Sequence, residues 1–533
     1  MKPSRATLLS SALLLLLWTL ALSCQSAVVE PPPAKGLAAP SRVRRLTQEE
    51  LNRTLVDLFP AVVVPAITII EDNGKDFAQL ENRQVVSDLY VEQVRAGMNA
   101  VTAAIAGAQA VPAAGEEGAV VSALLEDLLP LVLRRPVATD EHAFFLDYFG
   151  EQQAISGFAP ALQLMLQVIL QSPAFLYRLE LDDSSAADDR GRVPVSSIEM
   201  ATRLSYFLWG TTPDAELLQA GVDGTLSTAA GITAQAARML GDARAMDAVQ
   251  SFHRQWLDFD RILQTNKSPL RFPSYNEFLR QAMRDEASRF IELVFEQDAK
   301  LRTLLTSRQA RLIPALGPLY GVDVSEDNQL VELPPERAGI LTQAQFLAAR
   351  AHAVEGSPVL RGVFVLERLV CEQPPPPGAD IDTTPPQAED DDGSAARTNR
   401  SRYAQHAADP LCASCHRPID GIGFGLEAFD AIGQFRTLDN GLPVDDSGDL
   451  GATRVGGTFK GAADLGARLA SSPVVSSCVA QHWFRFANGR PDQSSDKADL
   501  AVVNAAFVAA DGDVRALLKA IVLSEAFRLR RQP

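Results

Sequence analysis

Two cysteines and a histidine stand together in Cys412-Ala413-Ser414-Cys415-His416, a C-x-x-C-H. Thiols at this spacing lie one helical turn apart, which suits two thioether bonds to the vinyl groups of a haem. The neighbouring imidazole then reaches the iron as proximal ligand. The expectation is one covalent haem c on Cys412, Cys415 and His416, with the other ring nitrogen of His416 held by a backbone carbonyl. Zinc, a plain disulfide and a decayed site are the competing readings. A structural zinc site wants four ligands, and no second C-x-x-C or H-x-x-x-H-type pair completes one here. A thioredoxin-like pair needs a βαβ setting, whereas these surroundings read as helix and loop.

The sequence leaves the other side of the iron open. All 7 methionines lie at or before Met283, so methionine ligation is not locally available. His482 stands at a separation that permits bis-histidine ligation; the competing reading is an ordinary helix-face histidine beside Trp483. His406 precedes the motif by about three helical turns, roughly 15 Å, too far along to reach the iron. His352 is a weaker candidate. Arg417, Arg436 and Arg490 are candidates for haem propionates, against the commoner fate of surface salt bridges. A sixth position without a strong ligand favours catalysis on peroxide or oxygen, and a His482 ligand favours electron transfer.

Lys2 and Arg5 precede an apolar run over residues 8–22, too short for a membrane span and suited to a signal peptide. It ends in Ala21-Leu22-Ser23-Cys24, similar to a lipobox, so Cys24 is the expected lipidation site of an exported, periplasmic or cell-surface chain. Ordinary signal cleavage is the alternative. Of 5 cysteines, Cys371 and Cys478 are then left over, and in an oxidising compartment they most simply pair. Two separately buried thiols are the other reading. A net charge of -17 gives no basic field for nucleic acid, and a redox partner protein is expected instead.

The elements that must position these residues read as mainly α. With 533 residues and 47% hydrophobic composition, several cores are within reach. Thr47 with Glu50, and Ser196 with Glu199, are capping boxes, and Leu46 against Leu51 is a hydrophobic staple. Helical spacing continues through 80–106, 119–180, 234–257, 275–295, 342–351, 475–486, 497–509 and 514–529. The division reads as a signal segment (1–24), a tether (25–41), helical modules at 42–115, 116–181, 195–320 and 337–372, a Pro/acidic linker (373–395) and a cytochrome c-like haem domain (396–533). Asp439-Asn440-Gly441 marks a small β-hairpin in the last.

Dispersed stretches carry a family likeness. They are Arg45-Leu-Thr-Gln-Glu-Glu-Leu-Asn, Leu170-Gln-Ser-Pro-Ala-Phe-Leu-Tyr-Arg, Arg203-Leu-Ser-Tyr-Phe-Leu-Trp-Gly and Ser357-Pro-Val-Leu-Arg-Gly, then the C-x-x-C-H, Gly423-Phe-Gly-Leu-Glu-Ala-Phe-Asp and Phe486-Ala-Asn-Gly-Arg. In this order they resemble the planctomycete-type multidomain cytochrome-associated proteins, built from consecutive domains of unknown function; residues 60–83 depart from the pattern. The resemblance implies an exported helical protein with a C-terminal c-type haem motif and no settled substrate. Electron transfer by a lipid-anchored cytochrome is the leading expectation. A haem oxidoreductase whose body binds substrate, and a surface lipoprotein with a purely structural cysteine motif, are the alternatives. No Ser/His/Asp set, Walker loop or Gly-rich dinucleotide motif points to other chemistry.

Overall fold

Side-chain caps set where helices begin. Thr47 Oγ1 accepts from Glu50 N at 3.2 Å while Glu50 Oε2 accepts from Thr47 N at 2.9 Å, and the Gln48–Leu58 helix starts there. Ser196 and Glu199 repeat the arrangement ahead of Ser197–Leu208. The computed structural model giving these contacts describes residues 43–70, 77–80, 84–182, 185–189, 191–374, 397–404 and 410–531. The expectations for the signal segment, Cys24, the tether, His406 and most of the 373–395 linker lie outside the described residues.

The protein is mainly α, as expected. Helices Gln48–Leu58, Asp88–Ala108, Glu117–Leu133, Thr139–Ser156 and Phe158–Leu170 close over one apolar core containing Leu55, Met98, Leu125 and Leu166. A larger core gathers Leu204, Phe252, Phe290, Val365, Ile422, Trp483 and Leu517, and a smaller one surrounds Met283, Leu312 and Ala344. The run 234–257 divides into Ala229–Leu240 and Ala245–Trp256. Its last stretch of apolar period, 514–529, divides at Ser524, which caps Glu525–Arg528. Among the described residues no helix is long and apolar enough to cross a membrane.

Strands occur as antiparallel pairs. Val43–Arg45 pairs with Tyr177–Leu179, and Arg192–Pro194 with Leu529–Arg531, each closing a long stretch of chain. Leu438↔Pro443 and Asp439↔Leu442 form the expected hairpin. Its turn residues Asn440 (φ 49°) and Gly441 (φ 81°) both sit in the left-handed region that a two-residue hairpin demands.

The packing divides the chain differently from its composition. The helix Pro358–Val365, assigned above to the module before the linker, packs along the helix Pro410–Gly423 beyond it. Helix Gly461–Ala470 lies on Leu301–Thr306, and Val514–Leu523 on Ala229–Leu240. Residues of the expected 396–533 haem domain share one core with residues 195–370.

One buried acid in this body carries a pH prediction. Glu286 hydrogen-bonds the Tyr320 hydroxyl, whose oxygen accepts from Ala344 N at 2.7 Å; Arg337 lies 4.3 Å over the Tyr320 ring. Burial pushes the Glu286 carboxyl up from 4.5 to about 7, so the fold prefers it protonated. Its contribution is complete below pH 4.5 and falls by about 1.4 kcal/mol per pH unit as pH rises through the folded value. Glu286→Gln is expected to flatten that part of the stability profile between pH 4.5 and about 7, measured by urea unfolding at a series of pH values.

Candidate functional site

The C-x-x-C-H lies on the helix Pro410–Gly423. Cys412 and Cys415 are half-buried free thiols one turn apart, while Ala413 and Ile419 turn into the core. His416 Nδ1 lies 3.2 Å from both carboxylate oxygens of Asp420, one turn along the helix and itself buried. The brace on His416 is thus a carboxylate, which corrects the backbone carbonyl expected above. A carboxylate on Nδ1 fixes the ring's orientation, as behind many metal-ligating histidines, and Nε2 is the nitrogen that would address an iron. Two thiols and a braced imidazole on one helix are a donor set that suits a covalent haem.

Two glycines seat this helix. A Cβ on Gly362 would fall 2.0 Å from the Ile419 carbonyl oxygen, and one on Gly423 would fall 2.0 Å from that of Pro358. The two contacts run in opposite chain directions, so Pro358–Val365 and Pro410–Gly423 are antiparallel and touch backbone to backbone. Arg361, fully buried, sends Nη1 to the carbonyls of Leu426 (2.8 Å) and Phe429 (3.0 Å) and Nη2 to those of Asp430 (2.8 Å) and Leu347 (3.3 Å). Asn399 Nδ2 donates to both oxygens of buried Glu427 at 3.1 and 2.9 Å. Burial pushes the Glu427 carboxyl up, against the pull of Arg361 and Arg436. The segment following the motif is therefore held by polar groups that water does not reach.

The other expected site residues fall elsewhere. Arg436 is committed to Asp439 (2.6 Å) and to the Glu427 carbonyl (3.2 Å), and fully buried Arg490 to Asp496 (2.7 and 2.9 Å), so neither is available to a propionate. Arg417 is exposed on the motif helix. His352 is part of the turn closed by its N–H to the Glu355 carbonyl at 2.9 Å, and burial lowers its pKa. Cys371 and Cys478 are joined in a disulfide.

His482 departs most from expectation. Its ring is enclosed by Phe77 (centroids 6.3 Å apart), Trp256 (5.9 Å) and that disulfide, with Nε2 3.5 Å from Cys371 Sγ. A ring directed at a disulfide is not presented to a haem on Cys412 and Cys415, which corrects its assignment as distal ligand. Burial pulls its pKa down to about 3. Sequence alone assigns Asp420 no role, though its four-residue spacing from His416 is a local signal, and Arg361, Gly362 and Gly423 enter there only as members of the quoted family stretches.

Family models match the chain in succession. They are Protein of unknown function DUF1595 over residues 121–180, DUF1592 over 195–322, DUF1588 over 337–439 and DUF1585 over 455–527. The DUF1588 match takes in both antiparallel helices and the C-x-x-C-H, in line with their packing as one unit. No curated protein and no solved structure matches the chain. It is a multidomain, mainly helical protein. More narrowly, it carries four consecutive domains of the planctomycete cytochrome-associated type.

Proposed function

We propose that the chain is an exported c-type cytochrome that holds one haem through Cys412 and Cys415, with His416 as proximal ligand, and exchanges electrons with a partner protein. The observation that carries this reading is a C-x-x-C-H on one helix whose thiols are free and whose imidazole is braced by a buried carboxylate. The haem, when bound, supplies one-electron redox chemistry. Asp420 orients the imidazole; Gly362, Gly423 and Arg361 fix the helix that presents it. The net charge of -17 favours a partner with a basic docking patch, and Cys24 supplies a lipid anchor.

The test is expression in a host with haem-attachment machinery, followed by haem staining of a denaturing gel. A stained band at the size of the chain is expected, and its loss in Cys412→Ala/Cys415→Ala. An unstained wild-type band refutes the reading.

One observation favours a second reading, an iron whose sixth position is open to small ligands. Met98, Met165, Met200, Met239 and Met283 are all buried in apolar cores, and His482 faces the disulfide. Carbon monoxide is then expected to shift the absorption spectrum of the reduced protein at once. An unchanged spectrum returns the iron to a closed, electron-relaying state.

A further inference from the structure

The Cys371–Cys478 disulfide and His482 form a cluster that the haem reading does not use. Pro358–Val365 continues into a π-helical turn, Leu366–Val370, which Cys371 ends in the left-handed region at φ 54°. Cys478 and His482 lie one turn apart on the helix Pro473–Asn488. Their ligand atoms and the Cys371 sulfur all lie within 4.8 Å of one another. A tetrahedral zinc bound by thiolate and imidazole separates sulfur from nitrogen by about 3.6 Å. The Cys371 Sγ to His482 Nε2 edge is already 3.5 Å.

The walls of this cluster do not depend on the sulfur–sulfur bond. Leu366, Leu369 and Val370 on one side and Val475 and Val479 on the other are buried in the same core. Once reduced, Cys478 has the Arg368 carbonyl 3.6 Å from its sulfur as acceptor for the thiol proton. Rotation of the Cys478 side chain then opens the two sulfurs to metal-binding separation. The Glu367 backbone holds the His482 ring by a hydrogen bond. Cys371 is half-buried, whereas Cys478 and His482 are buried.

We propose that, in the dithiol state, Cys371, Cys478 and His482 bind one Zn2+ or similar soft divalent ion, with water as fourth ligand. A dithiol reductant gives two electrons to the disulfide and becomes a disulfide itself, leaving two thiols on the chain. Metal binding displaces both thiol protons to solvent. Disulfide and metal exclude one another, so the site takes up metal only on reduction.

The test uses the full chain carrying Cys24→Ser, Cys412→Ser and Cys415→Ser, in which Cys371 and Cys478 are the sole cysteines and no haem attaches; the result is thereby independent of the haem reading. The chain is reduced with a phosphine, freed of it under argon and titrated with Co2+. One Co2+ per chain is expected, with thiolate-to-cobalt and tetrahedral ligand-field bands that Zn2+ abolishes. The oxidised chain should show neither, and His482→Ala should weaken binding at least tenfold. Absence of the bands in the reduced chain, equal uptake by the oxidised chain, or unchanged affinity in His482→Ala overturns the proposal. So does loss of the helical circular dichroism on reduction, because the ligands are then no longer held together.

Discussion

Replacing Arg361 by methionine is expected to destabilise the folded chain by about 4 kcal/mol. The guanidinium is fully buried and ties carbonyls of residues 347, 426, 429 and 430, so its loss leaves four acceptors without that donor. Each buried unsatisfied polar group costs about 1–3 kcal/mol. The opposing effect is real: burial lowers the Arg361 pKa to about 10, and an apolar side chain avoids desolvating a charge. That relief wins where a buried ion pair is replaced whole by hydrophobes of similar shape. Here the partners are backbone carbonyls and the nearby Glu427 carboxylate, none of which methionine removes. Loss should therefore exceed relief. Arg361→Lys should recover part of it, since an ammonium presents three donors and no planar fork. Urea unfolding gives the magnitude, and hydrogen exchange over residues 419–433 gives the location. An Arg361→Met chain within about 1 kcal/mol of wild type would mean the desolvation argument had won.

How much of this was legible in the sequence depends on the range of the interaction. The caps at Thr47 and Ser196 join groups three residues apart, and the Asn440-Gly441 turn acts through its own two φ angles, so both are written locally. The C-x-x-C-H is equally local. The pairing of Val43–Arg45 with Tyr177–Leu179 is not, because three-residue strands carry too few positions for an alternating pattern to show. Arg361 reads as one more arginine on an amphipathic helix until the carbonyls of residues 426 to 430 arrive beside it. His482 reads as a candidate haem ligand or a helix-face histidine until Cys371 is seen, which is 111 residues away in sequence and 3.5 Å away in space. The composition of residues 373–395 says nothing about which flanking helices pack together.

The same limit governs the crossing that seats the motif helix, and Gly362→Ala puts a number on it. From helix propensity alone this change should stabilise, since alanine is better than glycine in a helix interior by roughly 1 kcal/mol. The crossing reverses the sign. The new Cβ would lie 2.0 Å from the Ile419 carbonyl oxygen and 2.8 Å from its carbon, and these are backbone atoms of a packed helix rather than the movable end of a side chain. Relief requires the two helices to part by on the order of 1 Å, and overpacking of this kind costs about 1–3 kcal/mol. Parting them also stretches the Arg361 bonds to the segment after the motif, which are already near ordinary length at 2.8 to 3.0 Å. A net loss of roughly 2–4 kcal/mol is expected once that strain is added. Gly423→Ala meets the Pro358 carbonyl at the same 2.0 Å and should behave alike. Because both substitutions are relieved by the same separation of the same helices, the double variant should cost less than the sum of the singles. A raised midpoint in Gly362→Ala, or strict additivity of the pair, would show that the helices do not meet through these glycines.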